Sequence, residues 1–82
     1  MTREEIEPKV IELISDYTGV EKSVINADTV FSTDLGIDSL DQAELIFGME
    51  KDFHVSFTID EICDTKKVDD VVDLIMMKHD RD

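Results

Sequence analysis

The chain has 82 residues and a net charge of −13, from 21 acidic and 8 basic side chains. A chain of this length forms one domain with a single modest core. Its acidity argues against nucleic-acid binding, which needs clustered Lys and Arg, and favours basic protein surfaces as partners. Disorder is the competing interpretation of high charge, but 41% hydrophobic content with clear periodicity favours a folded domain.

The lone cysteine, Cys63, cannot form an internal disulfide, which indicates a reducing compartment. The sequence has no apolar run long enough to span a membrane, and its charged N-terminus carries no apolar signal segment. We therefore expect a cytoplasmic protein, and we expect it to be a monomer.

A first helix is predicted near the N-terminus, where Thr2 and Glu5 have the spacing of a capping box. Pro8 lacks an N–H and crowds the carbonyl of Glu4, so the regular helix is predicted from Pro8 onward, after an irregular turn. Gly19 is predicted to end it. The apolar face consists of Ile6, Val10, Leu13, Ile14 and Tyr17.

Residues 20–37 show no helix of useful length, although a short helical turn is expected near Lys22–Ile25. This stretch nevertheless contains more apolar residues than a disordered linker would. It is predicted to be a long loop pinned across the core, and loops of this length in compact domains are often functional. Its apolar residues are Val20, Val24, Ile25, Val30, Phe31, Leu35 and Ile37.

A second helix is predicted from Ser39 to Asp52 or Phe53. Gly36 permits a sharp bend before it, and either Asp38 or Ser39 has the composition and spacing of an N-cap. Ser39 is therefore predicted at a helix N-terminus with its hydroxyl accessible. The backbone N–H groups and the dipole there favour a phosphate group, although for most serines before a helix capping is the only role.

The second helix carries two apolar stripes, although a helix that packs on the core with one face needs only one. The core stripe is Leu45, Ile46, Met49 and Phe53, and the second stripe is Leu40, Ala43 and Phe47. Leu40 and Phe47 either pack under the preceding loop or form a docking ridge beside the carboxylates of Asp38, Asp41 and Glu44. Residues 23–50 contain no Lys or Arg, which indicates either a solvated face or a surface that selects partners.

A short third helix is predicted to start at the capping box of Thr58 and Glu61 and to end near Asp64. The last helix is predicted over roughly Lys66 to His79, and residues 80–82 are expected to fray. Its buried face is Val68, Val71, Val72 and Ile75. The predicted fold is a small all-α four-helix bundle, with three longer helices, one short helix and a long loop between helices 1 and 2.

The sequence offers little support for an enzyme. Ser39 has no neighbouring histidine, and His54 and His79 lie far along the chain. Cys63 stands beside Asp64 in an acidic chain, which disfavours a reactive thiolate. Cys and His do not have metal-site spacing, and the acidic residues around Ser39 match a calcium loop only loosely.

The segment Asp34-Leu35-Gly36-Ile37-Asp38-Ser39-Leu40-Asp41, followed by Ala43-Glu44-Leu45, resembles the signature of acyl carrier proteins. The resemblance extends from Thr2 to about His79 and implies one acyl carrier domain over residues 1–82. It implies that the protein is a carrier and not an enzyme. It also implies that 4′-phosphopantetheine is transferred from coenzyme A to Ser39, where its thiol holds acyl groups as thioesters. Implied partners are a phosphopantetheinyl transferase (holo-ACP synthase) and synthases with basic docking surfaces, which would meet Asp38, Leu40, Asp41, Glu44 and Phe47.

Several residues depart from the pattern of fatty-acid carriers. Lys51 interrupts the acidic run before Phe53, and the third helix lacks its usual proline. Phe47 stands where a methionine or aliphatic residue is common, and Gly48 weakens the helix interior. These departures argue against housekeeping fatty-acid synthesis and leave open a specialised carrier, for example in polyketide or modified-lipid synthesis. The alternative from another class is an acidic protein-interaction module without a prosthetic group.

Overall fold

The computed structural model describes residues 1–80. Its helices are α1 (Arg3–Thr18), α2 (Ser39–Gly48), α3 (Glu50–Phe53), α4 (Ile59–Cys63) and α5 (Val68–Asp80), with a 3₁₀ turn at Lys22–Val24. The predicted all-α bundle with a long loop after the first helix is confirmed, with α2 and α3 in place of the second helix. Helix α5 includes Asp80, and the predicted fraying of Arg81 and Asp82 concerns residues outside the described range.

Helix α1 starts earlier than predicted. It begins at Arg3 and includes Pro8, and the Thr2–Glu5 capping box forms. The predicted irregular turn before Pro8 is wrong because that turn is held at both ends. The capping box fixes its start, Ile6 is fully buried, and Arg3 forms ion pairs with carboxylates of α5. These contacts offset the loss of the one backbone hydrogen bond that Pro8 cannot make.

The C-terminal end of α1 follows the prediction at Gly19 but not at Tyr17. Gly19 has a left-handed φ of 78°, and its N–H donates to the Ser15 carbonyl at 2.8 Å. Tyr17 was predicted on the core face, yet its side chain is 44% exposed and its hydroxyl donates to Glu44 of α2 at 3.2 Å. Tyr17 therefore links the two helices at the surface.

The loop between α1 and α2 is pinned to the core as predicted. Ile25 and Phe31 are buried, whereas Val24 is exposed and is not an anchor. The loop also pairs with the segment before α5, since Phe31 N–H donates to Lys66 O at 3.1 Å and Val68 N–H to Thr29 O at 3.0 Å. An isolated antiparallel bridge joins Val30 and Lys67 in the same region. This pairing places the start of α5 beside the loop that leads to Ser39.

The second helix was predicted as one piece to Asp52 or Phe53, but it breaks at Met49. Gly48 weakens the helix interior, and the backbone forms tighter turns of the 3₁₀ type there. Met49 N–H donates to Ile46 O at 3.0 Å, and Asp52 N–H to Met49 O at 3.1 Å, both over three residues rather than four. Met49 and Phe53 are fully buried on either side of the break, so the bend keeps both on the core.

The short helix α4 is connected to α5 through Glu61. The Thr58–Glu61 capping box of α4 forms, and Glu61 also pairs with Lys78 of α5 at 2.9 Å. Helix α5 starts at Val68 rather than Lys66, because the Asp70 carboxylate accepts the N–H groups of the two preceding lysines. The predicted buried face of α5 is fully buried.

The core is continuous across the helices and the loop. The four residues predicted as the core stripe of the second helix are all buried. None of the helices between residues 1 and 80 has the length and apolar character needed to cross a bilayer.

Candidate functional site

The approach to α2 bends at Gly36 and is capped by Asp38. Gly36 has a φ of 66°, a left-handed conformation that glycine takes at little steric cost. Asp38 is the N-cap, and its Oδ1 accepts the Asp41 N–H at 2.8 Å. Of the two candidate caps, Asp38 therefore takes the role, and Ser39 becomes the first residue of the helix.

The Ser39 side chain is exposed and has no capping duty. Its hydroxyl makes no hydrogen bond to other groups within residues 1–80. A serine at this position is therefore accessible to another macromolecule and free to be modified. The interpretation of Ser39 as only a cap does not fit this geometry.

Ser39 lies in a groove of about 480 Å³ between α2 and α4. The floor is apolar and includes Ala43 and Ile62, while the rim carries Ser32, Cys63 and Lys66. Gln42, one turn along α2 from Ser39, crosses the groove to the α4–α5 connection. Its amide nitrogen lies 2.9 Å from both the backbone oxygen and the hydroxyl of Thr65. Ser39 and the Gln42–Thr65 hydrogen bonds, which we call the polar bridge, thus lie in the same groove.

The start of α2 has the groups that a phosphodiester on Ser39 requires. The N–H groups of Ser39 and Leu40 make no hydrogen bond within the described part of the chain, because the Asp38 carboxylate takes only that of Asp41. Unpaired N–H groups and the positive end of the helix dipole favour a phosphate. Lys66 adds a cation on the rim, although Asp38 and Asp41 oppose a second negative charge nearby.

The outer face of α2 exposes the second apolar stripe. Leu40 is 72% exposed and Phe47 is 37% exposed, so neither packs under the preceding loop. Both line a second surface groove of about 630 Å³, with Leu13 and Tyr17 of α1 and Ile59 of α4. Asp38 and Glu44 are exposed and Asp41 is half-exposed along the same helix. The face therefore combines exposed apolar side chains with carboxylates.

Groups for catalysis do not converge on Ser39. Neither His54 nor His79 is among the residues that line its groove. Within residues 1–80, no three or more His, Cys, Asp and Glu side chains come together in a way that could hold a metal ion. The chemistry available at the site is therefore that of an exposed hydroxyl at a helix N-terminus.

Three residues of the site were missed by reasoning from the sequence. Gln42 was considered only as a capping-box partner of Ser39, because its position between the core and outer stripes of α2 gives no signal of a contact with Thr65. Thr65 is a buried polar residue, 4% exposed, and a single threonine between helices gives no signal of burial. Lys66 reaches the groove only because the loop pairs with the start of α5.

Comparison with known proteins supports the interpretation of the motif. A family model described as a phosphopantetheine attachment site matches residues 8–75. An acyl carrier protein of Porphyromonas gingivalis is 44% identical over 71 residues, which cover 87% of this chain and 91% of the relative. One from Solidesulfovibrio magneticus is 41% identical over 70 residues, covering 85% and 90%.

Solved structures agree with the fold. The crystal structure of an acyl carrier protein from Thermotoga maritima has a TM-score of 0.82 at 26% identity, covering 96% of this chain and 92% of that one. An acyl carrier protein from Enterococcus faecalis has a TM-score of 0.77 at 27% identity, covering 95% and 99%. Because both the family model and these relatives match most of the chain, the protein belongs to the acyl carrier proteins, which are carriers rather than enzymes and hold 4′-phosphopantetheine covalently.

Proposed function

We propose that residues 1–82 form a single acyl carrier domain in which Ser39 is the sole attachment site of 4′-phosphopantetheine. The observation that supports this most directly is the division of roles at the start of α2. Asp38 caps the helix, which leaves the exposed Ser39 hydroxyl and two backbone N–H groups free. A phosphodiester formed on Ser39 replaces a hydroxyl that has no other function in the fold.

The attachment step is an ordinary phosphoryl transfer. The Ser39 oxygen attacks the pantetheine-bearing phosphate of coenzyme A, the phosphoanhydride bond breaks, and adenosine 3′,5′-bisphosphate leaves. The serine proton passes to a general base as the new P–O bond forms. When bound, the prosthetic group supplies a thiol that holds acyl groups as thioesters. The chain itself positions the arm and presents it to enzymes.

Asp38, Leu40, Asp41, Glu44 and Phe47 form the surface that we propose partners bind. A phosphopantetheinyl transferase and acyl-transferring synthases would meet the carboxylates with basic side chains and the exposed leucine with an apolar pocket. The pathway served is fatty-acid, polyketide or related lipid biosynthesis. Lys51 in the acidic run of α3 favours a specialised carrier among these.

Modification of Ser39 tests the proposal by intact mass. The apo protein is incubated with coenzyme A, magnesium and a broad-specificity phosphopantetheinyl transferase. The wild type is expected to gain one phosphopantetheine, and Ser39→Ala is expected to gain none. Ser32→Ala is the matched control, because Ser32 is an exposed serine in the same groove, and it should be modified as the wild type is.

A mass gain in Ser39→Ala would place the attachment elsewhere. No gain in the wild type, with circular dichroism showing a folded helical protein, would instead favour an acidic interaction module without a prosthetic group. The two outcomes are distinguished in one experiment.

A further inference from the structure

The groove beside Ser39 contains a polar bridge that the attachment of a prosthetic group does not require. Gln42 Nε2 donates to Thr65 O and Thr65 Oγ1, each at 2.9 Å, and lies 3.4 Å from Ile62 O. Carbonyl oxygens only accept hydrogen bonds, so the nitrogen of the Gln42 amide must face them. The Thr65 hydroxyl donates in turn to Ile62 O at 2.6 Å.

This bridge joins α2 to the connection that follows α4, within the groove that Ser39 and Gln42 line. Ser39 and Gln42 are on the α2 side of the groove and Ile62 is on the α4 side, with the fully buried Ile46 on the core side of α2. An acyl chain that starts from a group on Ser39 can reach the core here only if α2 and α4 separate. Separation breaks both Gln42 hydrogen bonds.

Breaking the bridge is costly because Thr65 is buried. Its side chain is 4% exposed, and the insertion of an alkyl chain would bring no polar partner to replace Gln42. The Thr65 backbone oxygen would then lie against hydrocarbon without its hydrogen bond from Gln42. Two helices with only apolar side chains between them would separate without this loss.

We propose that Gln42 is a specificity-determining residue, whose bridge to Thr65 keeps acyl chains out of the core and favours short acyl groups that remain in the groove beside Ser39. The proposal rests on the proposed attachment at Ser39 and adds the class of cargo. The Ser39 groove, about 480 Å³ in volume, provides surface for a short chain, while a long alkyl chain on this protein stays exposed to solvent and to partners.

The test compares butanoyl and octanoyl groups on the full chain. The apo protein is loaded from butanoyl- or octanoyl-coenzyme A by the transferase, and cleavage of each thioester by hydroxylamine is followed by intact mass. Rates are divided by those of the matching acyl-coenzyme A. In the wild type the two normalised rates should agree within about twofold, because neither chain enters the core.

Replacement of both bridge partners by apolar side chains should change this result. In Gln42→Leu/Thr65→Val the octanoyl thioester should be cleaved at least about threefold more slowly, with the butanoyl thioester unchanged. Hydrogen exchange of the α4 amides should also slow on octanoyl loading in this variant but not in the wild type. Thr65→Ser retains the hydroxyl and should behave as the wild type, as should Ser32→Ala on the groove rim.

Two results would overturn the proposal: protection of the octanoyl thioester in the wild type, or a double variant that matches the wild type in both measurements. If the double variant does not fold, Gln42→Asn shortens the amide beyond reach of Thr65 and should show the same direction of change. The wild-type comparison needs no variant at all. If the acyl group is not attached to Ser39, the mass gain is already missing before hydroxylamine is added. A failure of the proposed attachment is therefore distinguished from a failure of the proposed role of Gln42.

Discussion

At the scale of single residues, the geometry around Gly36 explains why Asp38 rather than Ser39 caps α2. Both have a short side chain with an acceptor oxygen, and the spacing to Asp41 or Gln42 suits either one. The chain bends at Gly36, so that Asp38 takes the extended conformation before α2, with φ −85° and ψ 178°. That leaves Ser39 one position inside the helix, where its hydroxyl is not needed for capping.

Gly36 is expected to be essential to this bend, and Gly48 provides a matched comparison. A Cβ built on either glycine meets nothing within 4 Å, but only Gly36 has a positive φ. Gly36→Ala should therefore lower the free energy of unfolding by about 1–2 kcal/mol, from backbone strain alone. Gly48→Ala should raise it by roughly 0.5–1 kcal/mol, because alanine favours the helix.

Urea denaturation of both variants measures these changes. Equal effects of the two substitutions would show that the conformation of Gly36 is not what makes it necessary. Transfer of phosphopantetheine to Gly36→Ala should also slow, since the bend positions Ser39.

At the scale of secondary-structure elements, α4 is too short to be stable by itself and depends on its N-terminal contacts. Glu61 accepts the Thr58 N–H at 2.8 Å and pairs with Lys78 at 2.9 Å. The hydrogen bond from the Thr58 backbone, followed by that from Lys78, lowers the pKa of Glu61 from its ordinary value of about 4.5. Glu61 thus connects α4 to α5 and also takes part in the capping box at the start of α4.

This connection predicts a specific pH dependence. A carboxylate whose pKa is lowered by folding stabilises the protein fully above its unfolded pKa, and that contribution is lost as pH falls through the lower folded pKa. The stability difference between wild type and Glu61→Gln should therefore be constant near neutral pH and should shrink as pH falls below about 4.5. Gln retains the capping spacing, so the change isolates the charge.

Denaturation at pH 7 and at successively lower pH values checks the prediction. Glu12→Gln is the control for net charge, because Glu12 is exposed within α1. A stability difference for Glu61→Gln that stays the same at every pH would show that the Lys78 pair and the cap do not depend on the charge.

At the scale of the whole molecule, the net charge of −13 acts on partners at long range. Leu40 and Phe47 are exposed among the carboxylates of α2, and on the proposed docking surface we expect encounter and dissociation to depend on different side chains. Charges at the rim of an interface mainly set the rate of encounter and its salt dependence, whereas apolar anchors mainly set the rate of dissociation.

Reversal of Asp41 and Glu44 to Lys should slow phosphopantetheine transfer to Ser39 by about tenfold or more at low salt, and less at high salt. Leu40→Ala should weaken transfer at both. Glu12→Lys/Glu21→Lys changes the net charge equally at exposed positions outside α2, and should have a smaller effect. Transferase kinetics at two salt concentrations, with circular dichroism as the folding control, measure this. Equal slowing by the two double reversals would assign the effect to net charge rather than to a docking face.

The sequence by itself determined the motif around Ser39, the helix periods, both capping boxes and the buried face of α5, because each depends on residues close together in the chain. Only the tertiary structure decided which residue caps α2, where the second helix breaks and that α1 continues through Pro8. The cap depends on how the chain bends at Gly36, and the other two depend on contacts over long separations, such as Arg3 with α5 and Met49 with the core. The same holds for the Gln42–Thr65 bridge, whose partners lie 23 residues apart. Thr65 belongs to no local pattern and Gln42 has only a capping-box spacing to Ser39, so only their approach in the folded chain reveals the bridge.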